Sequence, residues 1–341
     1  MNININNNNN IKGLSGLANI GNTCYINSCI QVLTHLDILN KYIDSNNKNL
    51  NNNIDANIVI EYKQLKDLLF KSNCIISPNR FVEYIHKISK KKGLDIFIDF
   101  SQQDVSEFFN FLIECFHNSY KSCVDINING TTENKTDELA VIVYNEMKNI
   151  YKNDYSKIVS IFNGMSVSMI KSLDNTVLSI RSECFTALNI PIFNNNSTSI
   201  TNCLDEYTKN ELMENDNAWF NEKTNSYQNV YKSILFWNLP DILIITLKRF
   251  NNKNNKLKSV ITFPIDNLNL SKYIIGYNPN SYNYNLISVI NHSGNCNGGH
   301  YYSYIKNFNN NWYEYNDTIV KPINISQIIT NKAYCLIYKK N

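Results

Sequence analysis

The chain has 341 residues, 43% of them hydrophobic and 18% charged, which suits one large domain with a real core and not a disordered chain. A formal net charge of +3 is too mild to argue for nucleic acid or an anionic membrane as partner. The N-terminus, MNININNNNN, has no apolar core of signal-peptide length, and the run Ile242 to Ile245, with Leu247 after it, is far short of a membrane span. Nine cysteines, an odd number, and no secretion signal give a soluble intracellular protein with reduced thiols. Its place is then the cytoplasm or nucleus, or the host cytoplasm if the source is viral. Heavy use of Asn, Ile, Lys and Tyr reads as AT-rich coding bias.

Residues 1–12 read as a disordered Asn-rich lead-in. In GLANIGNTCYINSCIQVLTH, residues 16 to 35, Gly21 and Asn22 are turn residues. Asn22 or Thr23 is placed to cap a helix whose buried face is Ile26, Cys29, Ile30 and Leu33, running to about Leu39. Cys24 then sits in the first turn, where backbone N–H groups and the positive dipole end favour a thiolate. An Asn-rich loop, Ser45 to Asn53, reads as a tolerated surface insertion. Ile58, Tyr62, Leu65 and Leu69 mark a second helix. Ser77-Pro78 starts a third, through Phe81, Ile85 and Ile88. Ser101 with Asp104 suggests the start of a fourth, presenting Val105, Phe108, Phe109, Leu112 and Phe116 to a core. Asp104 and Glu107 share a face of it. A further helix is expected from about Asp137 to Tyr151.

From Ile158 onward short alternating stretches take over. Ser160 to Ile170, Thr176 to Arg181, part of Phe185 to Phe193, Val230 to Leu235 and Ile242 to Phe250 read as strands. One helix interrupts them near Thr201, with Leu204, Tyr207 and Leu212. Asn251 to Asn255 reads as a hairpin-like turn. Leu286 to His292, His300 to Lys306, Trp312 to Asn316 and Ala333 to Lys339 complete an antiparallel sheet.

A reactive cysteine needs a base, and there are five histidines: His35, His86, His117, His292 and His300. The first three lie in helical patterns without suggestive neighbours. His300 follows Gly298-Gly299, which allow close backbone approach, and opens a strand whose hairpin partner ends in Asn316-Asp317. Either of these can reach the His300 ring. The result is a cysteine, a histidine and an amide or carboxylate orienter, in that chain order.

These stretches resemble a known family. GLANIGNTCYINSCIQVL is similar to the cysteine box of the ubiquitin-specific proteases, and NHSGNCNGGHYYSYIKN with WYEYND resembles their histidine box. SQQDVSEFFNFL, LPDILIITLKRF and AYCLIYKK resemble three further signatures in the family's order, so that the likeness runs from about Gly13 to Lys340. The resemblance implies an α+β fold: a papain-like cysteine protease core in a thumb–palm–fingers arrangement. The single catalytic domain covers 13–341, with a helical thumb at about 13–125, β-rich fingers at about 158–240 and an antiparallel palm in the remainder.

It also implies roles. Cys24 is the nucleophile, Asn19 an oxyanion donor and His300 the base. Asn316 is the orienter, with Asp317 as runner-up or helper of the oxyanion region. Gln103, Asp104, Glu107, Gly299 and Tyr301 fall at positions that bind the ubiquitin tail, whose arginines suit an acidic face. The loop Ser293 to Gly299 matches one that lies over that tail. The implied activity is thiol-dependent hydrolysis of the bond after ubiquitin's C-terminal Gly-Gly. A catalytically silent ubiquitin-binding module and a protease for another ubiquitin-like modifier are the alternatives. Partners are ubiquitin and ubiquitinated proteins, with no nucleic acid or membrane, and the expected state is a monomer. Many members hold a structural zinc with two Cys-x-x-Cys pairs. This chain has none, so neither metal nor cofactor is expected.

Overall fold

The computed structural model describes residues 11–193, 198–251, 253–296 and 298–341. Most of the lead-in expected at 1–12 lies outside the described residues.

The first half is helical. α1 (Cys24–Thr34) is followed by α2 (Asp37–Ser45), α3 (Ala56–Lys71), α4 (Asn79–Lys92), α5 (Val105–Tyr120), α6 (Lys135–Tyr151) and the short α7 (Lys157–Phe162). Two short strands, β1 (Gly16–Leu17) and β2 (Ile75–Ile76), pair in parallel. Where one helix was expected to reach Leu39, the chain breaks after Thr34 and starts again at Asp37. The cause is Asn40, whose Nδ2 lies 3.1, 2.9 and 2.8 Å from the carbonyls of Leu33, Thr34 and Leu36 and serves the end of α1. The Asn-rich loop does structural work too. Asn51 and Asn53 donate to the carbonyls of Asn118 and Lys121, closing the end of α5. Asp104, not Ser101, is the N-cap of α5 and accepts from the N–H groups of Ser106 and Glu107. The stretch expected as a strand from Ser160 is helical to Phe162, and β3 (Gly164–Ser172) begins after it.

The second half is built on sheets. β4 (Val177–Phe185) pairs with β3, and β5 (Ala187–Pro191) passes to the larger sheet. α8 (Ile200–Thr208) stops short of Leu212, which lies instead in β6 (Glu211–Met213). β7 (Trp219–Asn221) and β8 (Ser226–Gln228) form a separate hairpin. β9 (Val230–Asn238) completes the smaller sheet, in the order β4-β3-β9-β6. β10 (Ile242–Lys248), β11 (Leu268–Asn269), β12 (Asn283–Asn295), β13 (Gly298–Lys306), β14 (Trp312–Asn316), β15 (Ile319–Pro322) and β16 (Ala333–Lys340) make the larger one. Its order is β15-β14-β13-β12-β16-β10-β5, with β11 on β12. All its pairings are antiparallel except β10 with β5.

Strand alternation divides the larger sheet between two cores. Ile242, Ile244, Ile290, Cys335 and Ile337 face the helices α1, α3 and α5. Leu243, Ile245, Leu247, Leu336 and Tyr338 face α8 on the other side. With apolar cover on both faces, β10 reads as an unbroken apolar run. At its end the guanidinium of Arg249, wholly buried, donates to the carbonyls of Ala333, Leu257 and Ser259.

Every residue of α1 is buried. One side packs on α5 and the other on β13 and β14. Its polar groups find partners: Gln31 Nε2 donates to Ser15 O at 2.8 Å, and the main-chain oxygen of Ser28 accepts from the Ser303 hydroxyl at 3.2 Å. No helix among the described residues is long and apolar enough to cross a membrane.

The hairpin turns after β3 and after β7 are held by polar side chains. In the first, Thr176 N donates to Ser172 Oγ and Asp174 Oδ1, both at 3.1 Å, with Asn175 at φ 68°. In the second, Asn221 Nδ2 donates to Gln228 Oε1 at 3.1 Å and Asn221 Oδ1 accepts from Lys223 N at 3.0 Å. Cys184 lies against Tyr151 and Asn163, whereas Cys203 is on the buried face of α8. These residues do not fit a zinc site, and hydrogen-bonded turns hold both hairpins. Excess chelator is therefore expected to leave the thermal unfolding midpoint unchanged. Asn221→Ala should lower stability by about 1–3 kcal/mol; a midpoint that drops with chelator would contradict both statements.

Candidate active site

Cys24 is the first residue of α1, with Thr23 at the N-cap position. No acidic side chain occupies the first turn to compete with a thiolate for the helix dipole. Thr23 gives no side-chain cap to the helix; its hydroxyl accepts from Ile20 N at 3.1 Å and belongs to the preceding turn. The residue that organises that turn is Asn19. Its Oδ1 accepts from Gly21 N at 3.2 Å and from Thr23 N at 3.1 Å. Gly21 has φ 123°, a conformation that favours glycine, and Asn22 at φ 50° donates to Phe100 O at 3.0 Å.

His300 lies near the start of β13, and Asn316 ends β14. The register pairs Ser303 with Tyr315 and Tyr304 with Glu314. Extended by one step, it sets Asn316 opposite Tyr302, on the diagonal from His300 and on the same face. Asn316 Oδ1 is 2.7 Å from His300 Nε2. An amide oxygen only accepts, so Nε2 carries a proton and Nδ1 is the nitrogen left for the thiol. A hydrogen bond to Cys24 is the largest influence on the ring. With Asn316 and the nearby charges it outweighs burial and pushes the imidazole from 6.5 up to about 9.

Asp317 faces elsewhere. At φ 50° it turns the chain, and its carboxylate accepts from Asn19 Nδ2 at 3.1 Å and from Asn27 Nδ2 at 2.8 Å. Its main-chain oxygen accepts from Leu17 N at 2.8 Å. The approach is so close that a Cβ on Gly16 would come within 2.4 Å of Thr318 O. Cys24, His300 and Asn316 are thus brought together, with Asn19 and Asp317 paired beside them.

A cavity of about 340 Å³ opens next to this group, lined in part by Gln103, Asp104, Glu107, His292, Gly298 and Tyr301. Of the predicted tail-binding residues, Gln103, Asp104, Glu107 and Tyr301 line it and Gly299 does not, and those that do differ in availability. Asp104 caps α5 and also accepts from the Ser106 and Tyr334 hydroxyls. Glu107 reaches solvent at the mouth; desolvation, then the charge of Asp104, raise its carboxyl above the ordinary value. Gly299 pairs with Gly294 in β12, so the segment expected as a loop from Ser293 continues the strands as far as Asn295 opposite Gly298.

Three contributors were missed from sequence. Gln102, not Gln103, bridges to Gly299: its Nε2 donates to Gly299 O and its Oε1 accepts from Gly299 N, both at 2.6 Å. Two adjacent glutamines carry no signal as to which one faces the cleft. His292 is buried, packs at a tilt on Tyr301 with ring centroids 4.6 Å apart and accepts from Lys256 Nζ through Nδ1 at 3.0 Å. Burial, then the Lys256 charge, push it down to about 4, so it stays neutral. Asn27 is the third. Its position on a helical face gave no hint of its partners. His35 is a core residue between Gln31 O and the Tyr315 hydroxyl.

Comparison with known proteins adds the family. The chain is 29% identical to ubiquitin carboxyl-terminal hydrolase Usp2 of Drosophila melanogaster, over 96% of this chain and 35% of that protein. It is 29% identical to human ubiquitin carboxyl-terminal hydrolase 2, over 96% of this chain and 55% of that one. It thus spans roughly a third to a half of these relatives. It is also 26% identical to the probable ubiquitin carboxyl-terminal hydrolase R319 of Acanthamoeba polyphaga mimivirus, covering 96% of this chain and 90% of that one. Among solved structures, it matches a chain of the Ubp8 SAGA DUB module bound to monoubiquitin with a TM-score of 0.74 at 24% identity, covering 97% of this chain and 70% of that one. That likeness shows the same fold, with helices packed on antiparallel sheets. A family model described as ubiquitin carboxyl-terminal hydrolase matches residues 15–338, and the chain belongs to that family.

Proposed function

We propose that this chain is a thiol-dependent deubiquitinase that hydrolyses the isopeptide or peptide bond after the C-terminal Gly-Gly of ubiquitin. The observation that carries the reading is the junction of Cys24, His300 and Asn316, with a cavity lined by Asp104, Glu107 and Tyr301, the chain neighbour of His300. Cys24 sulfur attacks the glycine carbonyl carbon. The developing oxyanion takes hydrogen bonds from the Asn19 side chain and from backbone N–H at Cys24. His300, protonated and aimed by Asn316, gives its proton to the departing lysine amine. Water then enters, His300 takes one of its protons, and attack on the thioester releases the ubiquitin carboxylate and restores the thiol. Asn316 is the orienter in this scheme, because it is the residue hydrogen-bonded to the ring. Asp317 serves the oxyanion side by holding Asn19.

Tail binding follows from the cavity. Glu107 offers a carboxylate to an arginine of the tail, with Asp104 adding charge behind it. Gln103 and Tyr301 line a passage suited to glycines, and Gly299 is assigned to its edge by its place beside Gly298. We infer a monomer acting on ubiquitinated proteins, with no nucleic acid or membrane partner, in a reducing, intracellular compartment, which keeps a thiol nucleophile from oxidising.

Ubiquitin carrying a C-terminal electrophile should form a covalent adduct with the wild type and none with Cys24→Ala. Binding without any adduct in the wild type would favour a silent ubiquitin-binding module. Adduct formation only with another modifier would move the substrate assignment.

The pH dependence has a definite sign. A histidine raised from 6.5 to about 9 is protonated in the folded site up to that value. Its contribution to folding stability is fully present below about pH 6.5 and is lost as pH climbs through about 9. The imidazolium needed for leaving-group protonation is lost over the same range. With a fluorogenic ubiquitin amide, kcat/KM should show a descending limb near pH 9. Asn316→Ala should shift this limb toward lower pH, further than Asp317→Ala does; an unmoved limb would assign the orienting role to another group. Glu107→Lys should raise KM several-fold at low salt and leave the limb in place.

A further inference from the structure

Three stretches meet beneath the cleft: the segment carrying Asn19, the helix carrying Cys24 and the turn after Asn316. One side chain touches all three. Asn27 lies on α1, close to one turn beyond Cys24, and is 2% exposed. Its Nδ2 is 2.8 Å from Asp317 Oδ1, 3.2 Å from Ala18 O and 3.4 Å from Leu17 O. The other oxygen of Asp317 accepts from Asn19 Nδ2 at 3.1 Å.

Resting on the reading of Cys24 as nucleophile and Asn19 as oxyanion donor, we propose that Asn27 is a positioning residue for the oxyanion hole. By tying Asp317 and Ala18 to the helix of the nucleophile, it holds the Asn19 amide at a set distance from the carbon under attack. The Asn19 side chain has one rotatable end and two duties. Its oxygen is fixed by the N–H groups of Gly21 and Thr23, and its nitrogen is fixed through Asp317. Asp317 in turn would be free to swing without its second donor.

The environment dictates which way the Asn27 amide faces. All three neighbours of Nδ2 are acceptors, so a turned-over amide would set Oδ1 against a carboxylate and two carbonyls. In the orientation adopted, Asn27 Oδ1 is buried and has no hydrogen-bond partner. A buried acceptor without a partner is destabilising. An apolar residue of similar size would remove that penalty but strip Asp317 Oδ1, Ala18 O and Leu17 O of this donor, so the asparagine is not there to satisfy its own oxygen. It is there to aim a carboxylate.

The test separates acylation from thiol reactivity in the full chain. Asn27→Ala and Asn27→Leu are compared with wild type in three assays: turnover of a fluorogenic ubiquitin amide, acylation by p-nitrophenyl acetate, and alkylation of Cys24 by iodoacetamide across pH. Acylation passes through an oxyanion and alkylation does not. We expect kcat to fall about 10–100-fold, as for an oxyanion donor displaced and not deleted, with KM within about twofold. The p-nitrophenyl acetate rate should fall by a similar factor. Alkylation and its pH profile should be unchanged, because the contact of Cys24 with His300 and Asn316 does not run through Asn27. The double variant with Asp317→Ala should be no slower than Asp317→Ala alone.

Alkylation falling in step with acylation, or losses that multiply in the double variant, would overturn the proposal in favour of a purely structural asparagine. If Asn27→Ala melts below the assay temperature, Asn27→Ser, which keeps a donor, is read for the same split. A wild type acylated by p-nitrophenyl acetate but inert toward ubiquitin would defeat the deubiquitinase reading and leave this one standing.

Discussion

The burial of α1 on all sides is the constraint from which the cleft geometry follows. A helix enclosed between α5 and the strands β13 and β14 has little freedom to slide. Its first residue is Cys24, and the strands against which it packs carry His300 and Asn316. Helix and sheet are joined by apolar contacts and by the bond between Ser303 and Ser28. The distance from sulfur to imidazole is thus set by core packing, and the imidazole-to-amide contact by strand register. Neither depends on a loop.

Adjacent residues with opposite duties illustrate how fine this placement is. Asn316 is the last residue of a strand and points along the sheet face to His300. Asp317 is in a left-handed turn, which rotates its carboxylate toward Asn19 and Asn27. A one-residue slip in the pairing of β14 with β13 would turn Asn316 to the other face, away from His300. The division places a neutral acceptor on the ring and a charge on the far side, where it contributes least among the causes that raise His300.

The cavity lined by Tyr301 meets charge of both signs. Asp104 and Glu107 line it together with neutral His292, and Lys256 stands behind that ring. Lys256 is itself brought down to about 8, by burial first and then by Arg249 and Lys332. The fully buried Arg249 is met by carbonyls and lacks a carboxylate partner among its hydrogen bonds, so its charge is felt at Lys256. Farther out, the polar turns at Ser172–Thr176 and Asn221–Gln228 close their hairpins with asparagine, aspartate and threonine chemistry. Short polar side chains tolerate the left-handed backbone that such turns need.

Much of this was legible in the residues. Helical and alternating periodicities located most elements, because an apolar face must repeat at the spacing of the element that buries it. The Gly-Gly before His300 and the order Cys24, His300, Asn316 were readable as a thiol, a base and an orienter. Boundaries were less so. Nothing in the local pattern near Leu36 says that Asn40 will take the carbonyls of α1 from four residues beyond, and a helix at Lys157–Phe162 looks like a strand when only apolar alternation is counted. The chain by itself determined which chemistry was available, since that is a matter of residue type and spacing. Tertiary structure alone decided which of Asn316 and Asp317 meets His300, which of Gln102 and Gln103 meets Gly299, and what Asn27 holds. The first choice turns on side-chain direction across a hairpin contact 16 residues apart, the other two across contacts 197 and 290 residues apart, and no local periodicity encodes that direction.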